Sequence, residues 1–218
     1  MQLVVVDTET GGLDCNVQSL LSVGMWTLDT VKGTIYNPLY FLVKEPVIVT
    51  TPEAMRINGL KLEDIERDGL EPRQALVKVL DYCNDIVPLS AWGGDKVMPI
   101  GHNIGFDMGF LGRISTFCDY LLPFHYRTID LPSILTTMYL AGILPKDISS
   151  SQKALEYFGM ERGKVHNALH DAECTGKVYL KVLGMLRDSN IILDSSLGNL
   201  NPMKCIPDLP YPYNEAYH

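Results

Sequence analysis

The stretch Val4 to Leu13, VVVDTETGGL, constrains this chain more than any other. Its three consecutive β-branched residues are too few for a helix, and an apolar run without polar alternation suits a strand covered on both faces. The run ends on Asp7 and Glu9, separated by one residue, and then on a glycine pair. Side chains alternate faces along a strand, so the two carboxylates point to one side with their Cα atoms about 7 Å apart. Like charges placed so repel, and each raises the other's pKa unless a cation lies between them. A solvated strand end would need no such cation. A buried central strand that carries both charges to its own end points instead to a divalent-cation site.

Further strands are expected at SLLSVGMWTLD (Ser19 to Asp29) and TIYNPLYFLVK (Thr34 to Lys44), joined by the turn-like TVKG, so the first three strands read as an antiparallel meander. TTPEAMRINGL predicts a short helix capped by Thr51, with Pro52 in its first position and Asn58-Gly59 ending it. A helix over Leu70 to Ile86 follows, with apolar positions at 76, 77, 80 and 83. Val97 to Asn103 is a short strand leading into a helix over Phe106 to Leu122, and Tyr126 to Leu131 is another strand. Helices are then expected over Leu131 to Gly142, Ser149 to Gly159 and Asn167 to Leu186. Strands first, then strands alternating with helices, give an α/β domain: a mixed sheet covered by helices, with the carboxylates at a sheet edge where ligands bind. From about Ser195 the texture changes to Pro, Asn and Tyr without a period, so residues 1–195 read as one domain and 196–218 as an extended or irregular tail.

Composition limits the function classes. A chain of 218 residues with 46% hydrophobic and 20% charged residues suits one soluble globular core. Five scattered cysteines without a CxxC pair argue against a disulfide framework and a zinc site, and favour a reducing, cytoplasmic setting. No basic n-region precedes an apolar stretch at the N-terminus, and no run reaches the ~18 apolar residues of a membrane span. The net charge of −8 is unusual for a protein that grips nucleic acid through phosphates alone. It is compatible with phosphate chemistry when carboxylates hold divalent cations.

Two more fragments carry chemistry. In GHNIGFDMGFL, Asp107 stands in a first helical turn, with Asn103 placed to cap or cross-link the preceding loop. In HNALHDAECTGKVYL, His166 and Asp171 are five apart and would point about 140° away from each other on one helix. Both serve one site only if His166 precedes the helix. A histidine near a carboxylate cluster suits general-base work because its unperturbed pKa is near ~6.5. His170, between the two, is expected on the surface.

Taken in order and spacing, DTET, HNIGFD and HNALHDA resemble the three exonuclease motifs of the DnaQ-like family, the DEDD 3′-to-5′ exonucleases of the histidine subclass. The tyrosine subclass would place a Tyr one position after His166, where Asn167 stands. TPEAMRINGL and QKALEYFGM extend the resemblance over roughly Met1 to Leu186. It implies a ribonuclease-H-like sheet and hydrolysis assisted by two Mg²⁺ or Mn²⁺ ions, whose separation of about 3.5–4 Å suits an in-line displacement at phosphorus. The implied ligands are Asp7, Glu9, Asp107 and Asp171, and the implied base is His166. Substrate contacts implied by similarity are Thr8, Thr10, Met55, Asn58, Asn103, Phe106 and Lys164. Arg113, Lys153 and Arg162 are further phosphate-contact candidates. The expected partner is a single-stranded or frayed 3′ end, DNA ahead of RNA, with a DNA polymerase or other replication protein as a possible companion. RNA end-trimming is the alternative within this class. A non-catalytic binding module would be expected to have lost a ligand, and none is missing. An interaction role for the tail rests on its Pro- and Tyr-rich IPDLPYPYNEAYH.

Overall fold

The computed structural model describes residues 1–86, 96–161 and 167–188. Two compact units divide the chain, Met1–Val182 and Leu183–His218. The first holds a five-stranded mixed sheet made of β1 (Gln2–Thr10), β2 (Leu20–Asp29), β3 (Thr34–Leu42), β4 (Pro99–Gly101) and β5 (Ile129–Asp130), in the order β3-β2-β1-β4-β5. The β1–β2 and β2–β3 pairs are antiparallel, which is the expected meander, while β4 and β5 join in parallel. The Val4–Val6 run therefore lies in the middle strand, and all three valines are fully buried. Removing each from water contributes about 1.5–3 kcal/mol.

The two faces of β1 serve different layers. Val4 and Val6 belong to the core formed with α3 (Pro72–Ile86) and α4 (Ile104–Phe117). Val5 faces α7 (Ala168–Asp188): a Cβ added at Gly176 would lie 3.1 Å from Val5 Cγ2. At the far edge, β3 buries only Phe41 and accommodates Pro38, whose missing N–H would interrupt a central strand. There Asn37 and Pro38 oppose Trp26 alone, and Asn37 takes a φ of 55° at this bulge.

Several helix starts are capped, the first at Thr51 as expected. Thr51 Oγ1 accepts from Ala54 N–H (3.2 Å) at the start of α1 (Pro52–Asn58), and Gly59 ends it in the left-handed region. Ser150 caps α6 (Ser151–Tyr157), and Asp130 caps α5 (Leu131–Leu140). Asn167 Oδ1 accepts from His170 N–H at the start of α7.

Several expectations need correction. Helix α2 (Leu62–Asp68) was not anticipated, because seven mostly exposed residues without a side-chain cap leave only an acidic start and a basic end as signals. In α3, Val77 is exposed and Leu80 half-buried, and the inward face is Ala75, Leu76, Val79, Tyr82 and Cys83. Its phase is set by the sheet side of the helix, which buries a tyrosine whose hydroxyl donates to the Asn37 carbonyl at 2.7 Å. Helix α4 stops at Phe117 rather than Leu122, and Asp119 follows in a left-handed turn. Arg113, expected as a phosphate contact, is engaged within the protein. It forms a two-pronged ion pair with Glu45 (2.8 and 2.5 Å), and Glu45 also accepts from Leu20 N–H (2.7 Å), so the pair ties α4 to the start of β2. No helix among the described residues is long and apolar enough to cross a membrane.

Candidate active site

The site forms where β1 runs out. Asp7 and Glu9 leave the strand on the α7 side, as the alternation predicts, and α7 brings Asp171 to them in its first turn. One carboxylate oxygen from each of the three lies within 4.8 Å of the others. Asp7 and Asp171 are half-buried, and Glu9 is buried. A β-bulge falls between Glu9 and Thr10, ending the regular pairing with β2 beside the site.

The seat for α7 is cut into the sheet. Gly24 pairs with Asp7 across β1–β2, and a Cβ added there would lie 2.2 Å from Ala168 C and 2.3 Å from Leu169 N. A glycine in a strand interior marks such a close backbone approach. Two residues along β2, Trp26 donates its indole N–H to the Leu169 carbonyl at 2.9 Å. Together these contacts place the backbone of the first turn of α7, and hence Asp171, against the strand that carries Asp7.

The fourth carboxylate arrives from the opposite layer. Thr8 sits between Asp7 and Glu9 and takes the other side of β1, where its hydroxyl donates to Asp107 Oδ1 at 2.7 Å. Asp107 is only 3% exposed, and burial pushes its carboxyl up to about 7, against the lowering effect of the Thr8 bond. It lines the same cleft of about 180 Å³ as the other three without joining their 4.8 Å group. The geometry separates three clustered carboxylates from one buried carboxyl held through Thr8.

Other candidates divide between the cleft and its surroundings. Asn103 and Phe106 line it with Thr8. Asn103 starts α4 in the left-handed region but makes no side-chain cap bond, so the expected capping role is not its own. Thr10, Met55 and Asn58 are not among the cleft-lining residues. Thr10 donates to the Gly12 carbonyl (2.7 Å), and buried Asn58 donates to the Thr10 carbonyl (3.3 Å) while accepting from Leu60 N–H (3.0 Å). Asn58 thus fastens α1 to the end of β1. At the glycines after Thr10 the chain itself packs closely: Val49 O would lie 2.2 Å from a Cβ on Gly11, and Gln18 Cγ 2.6 Å from one on Gly12. Lys153 is exposed on α6 and is not among the cleft-lining residues. His170 keeps 39% of its side chain exposed, as expected of a surface residue, with its Nε2 3.5 Å from Cys174 Sγ. His166, Lys164 and Arg162 lie outside the described residues, as does the 196–218 tail.

Three cleft residues were missed by sequence reasoning: His102, Ser151 and Thr175. Thr175 is one helical turn beyond Asp171, and that i,i+4 spacing was a usable signal. His102 adjoins Asn103 in a fragment already singled out. Ser151 carried no local signal, because only tertiary packing brings α6 to the cleft.

The donor set suits a hard divalent cation, since oxygen ligands from carboxylates converge at one place and the described residues lining the cleft include no cysteine. Comparison with known proteins agrees. The RNase T family model, described as an exonuclease, matches residues 4–179. Ribonuclease T of Blochmanniella pennsylvanica is 25% identical over 187 residues, covering 83% of each chain. Among solved structures, the nuclease domain of 3′hExo, a DEDDh family member bound to rAMP, superposes with a TM-score of 0.67 at 18% identity, over 86% of this chain and 92% of that one. Escherichia coli exonuclease I in complex with a dT13 oligonucleotide gives a TM-score of 0.69 at 18% identity, over 86% of this chain and 43% of that one. The ribonuclease-H-like sheet, the order of its motifs and the match over residues 4–179 place this chain in the exonuclease family, as a DnaQ-like 3′-to-5′ exonuclease of the DEDD histidine subclass.

Proposed function

We propose that this exonuclease removes nucleotides from the 3′ end of single-stranded or frayed DNA and releases nucleoside 5′-monophosphates, in a proofreading or repair setting. The observation that carries the proposal is the convergence of Asp7, Glu9 and Asp171 within 4.8 Å, in a cleft that also offers Asn103 and Phe106. Asp7, Glu9, Asp107 and Asp171 would hold two divalent cations, Mg²⁺ or Mn²⁺, and ions bound there would supply charge stabilisation for a displacement at phosphorus.

The chain's own residues do the remaining work. His166, from the HNALHD motif, takes the proton of the attacking water. Phe106 packs beside the terminal nucleotide, Asn103 and Thr8 offer polar contacts to it, and Lys164 meets a phosphate. Four carboxylates facing two dications leave the site near neutrality, which lets an acidic chain accept a polyanion. The five cysteines are scattered without a CxxC pair, which fits a reducing compartment such as the cytoplasm. A DNA polymerase or another replication protein is the partner consistent with this role.

RNA end-trimming is the second reading, favoured by the similarity to ribonuclease T. Discrimination depends on contacts to the 2′-OH. The test is digestion of 5′-labelled single-stranded DNA, RNA and mismatched duplex with Mg²⁺ or Mn²⁺. A ladder shortening from the 3′ end is expected, fastest on DNA; faster RNA laddering would reverse the assignment. Asp7→Ala and His166→Ala should each abolish metal-dependent degradation with the fold intact, and undiminished activity in folded Asp7→Ala protein would sink the proposal.

A further inference from the structure

The wall of the cleft formed by Asn103 and Phe106 begins with an unfavourable backbone. Asn103 has φ 65° and ψ 45°, the left-handed region, directly before α4. Non-glycine residues hold that conformation at a cost, and persist in it where surrounding contacts over-determine it. Here the contact is a carboxylate from the neighbouring strand. Asp130 stands in register with Gly101 on the parallel β4–β5 pair, and its Oδ1 accepts from Asn103 N–H at 2.9 Å. Its other oxygen, Oδ2, accepts from Ser133 N–H (3.2 Å) and from Ser133 Oγ (2.5 Å) at the start of α5. The Asn103 carbonyl in turn accepts from Phe106 N–H at 2.9 Å, in the turn that also carries Asp107.

We infer that Asp130 is a positioning residue for the hydrolysis. Its carboxylate fixes the left-handed Asn103 and, through it, the Asn103–Asp107 wall against which the terminal nucleotide is oriented. The inference rests on the reading of the cleft as the nucleotide site given above. Capping α5 alone would require only one oxygen of Asp130. The second oxygen reaches across to the next strand and binds the main chain at the one left-handed residue of the cleft wall among the described residues. Orientation is a rate effect: misplacing a reacting group by about 1 Å costs up to ~10²-fold. A long oligonucleotide draws most of its affinity from contacts elsewhere, so loosening this wall lowers kcat rather than raising KM.

Two substitutions separate the clamp from the cap. Serine is a good N-cap but one bond too short to reach Asn103, so Asp130→Ser keeps α5 capped and loses the clamp. Asparagine retains a carbonyl oxygen at the reach of Oδ1 while its NH2 donates to Ser133 Oγ, so Asp130→Asn keeps the clamp and gives up the bond from Ser133 N–H. Rates are measured on a 5′-labelled single-stranded oligonucleotide with Mg²⁺ and expressed per folded molecule from circular dichroism. Asp130→Ser is expected to lower kcat by about tenfold to a hundredfold with KM within about threefold, and Asp130→Asn to recover most of the loss. A kcat for Asp130→Ser within about twofold of the unaltered protein, or an Asp130→Asn variant no better than Asp130→Ser, overturns the inference. Asp7→Ala runs alongside: if it degrades the oligonucleotide, the reading of the cleft fails, whereas an inactive Asp7→Ala beside a fully active Asp130→Ser condemns the clamp alone.

Discussion

Gly24→Ala should damage catalysis from a position that touches no substrate. The added Cβ would lie 2.2 Å from Ala168 C, 2.3 Å from Leu169 N and 2.4 Å from Ala168 O, all main-chain atoms with no rotamer to escape into. Non-bonded carbon atoms settle near 3.5–4.0 Å, so the start of α7 must retreat by about 1 Å or more. Asp171 lies in that turn, and its carboxylate now stands within 4.8 Å of Asp7 and Glu9. A shift of about 1 Å is enough to cost on the order of 10²-fold in rate, while overpacking of this kind costs about 1–3 kcal/mol of stability. The assay pairs kcat on a 5′-labelled oligonucleotide, across a Mn²⁺ titration, with thermal unfolding. The expected result is a loss of kcat far beyond the folded fraction lost, with weakened metal activation. A folded Gly24→Ala protein with kcat within about threefold of the unaltered enzyme would refute the claim that this glycine seats the helix bearing Asp171.

Removing one partner of the Glu45–Arg113 pair, as in Arg113→Met or Glu45→Gln, leaves the other charge partly buried and should cost about 2–4 kcal/mol in urea unfolding. Activity per folded molecule is expected to hold, which a true phosphate contact would not allow. Asp107 makes the metal-free protein pH-sensitive. Its folded pKa, about 7, is raised above the usual carboxylate value, so the stability it contributes is complete below pH ~4 and is lost as pH rises through 7. Asp107→Asn should flatten that decline in chelator-treated protein, measured by thermal unfolding between pH 4 and 8. Thr8→Val removes the bond that favours the ionised form of Asp107, and should carry the decline in stability of chelator-treated protein to higher pH.

Much of this was legible because its causes are local in the chain. Val4–Val6 announced a doubly covered strand, and its ending on Asp7 and Glu9 announced a same-face carboxylate pair. Thr51, Pro52 and Gly59 marked both ends of α1 through capping chemistry. What escaped has tertiary causes. The 3.6-residue period of α3 allows neighbouring phases, and only the sheet beneath it selects Val79 and Tyr82 over Val77 and Leu80. A lone arginine in a helix looks like a solvated or phosphate-binding cation until the fold brings Glu45 to it from 68 residues away. Nothing local in TETGG shows that Val49 and Gln18 of the same chain pack against its glycines. Ser151 and His102 reach the cleft by the packing of α6 and the β4 terminus, which no pattern in the sequence encodes.

The clustered carboxylates also set a cost that the fold carries before any substrate arrives. Carboxylates this close repel one another when ionised, less where water reaches Asp7 and Asp171. Native contacts must hold the three together against this, and α7 is held by Trp26 and the notch at Gly24. A divalent cation that binds only the assembled site reverses the sign of that interaction, so it stabilises the native state by mass action, by about 2.7 kcal/mol at a hundredfold excess over Kd. Chelation should therefore lower Tm and millimolar Mg²⁺ or Mn²⁺ restore it, with the ion-dependent increment abolished in Asp171→Asn. Asp171→Asn should itself raise the Tm of chelator-treated protein, because it removes two of the three repulsive pairs. If chelated Asp171→Asn melts below the chelated unaltered protein, the three carboxylates are not in net repulsion, and the strain assigned to the empty cluster is wrong.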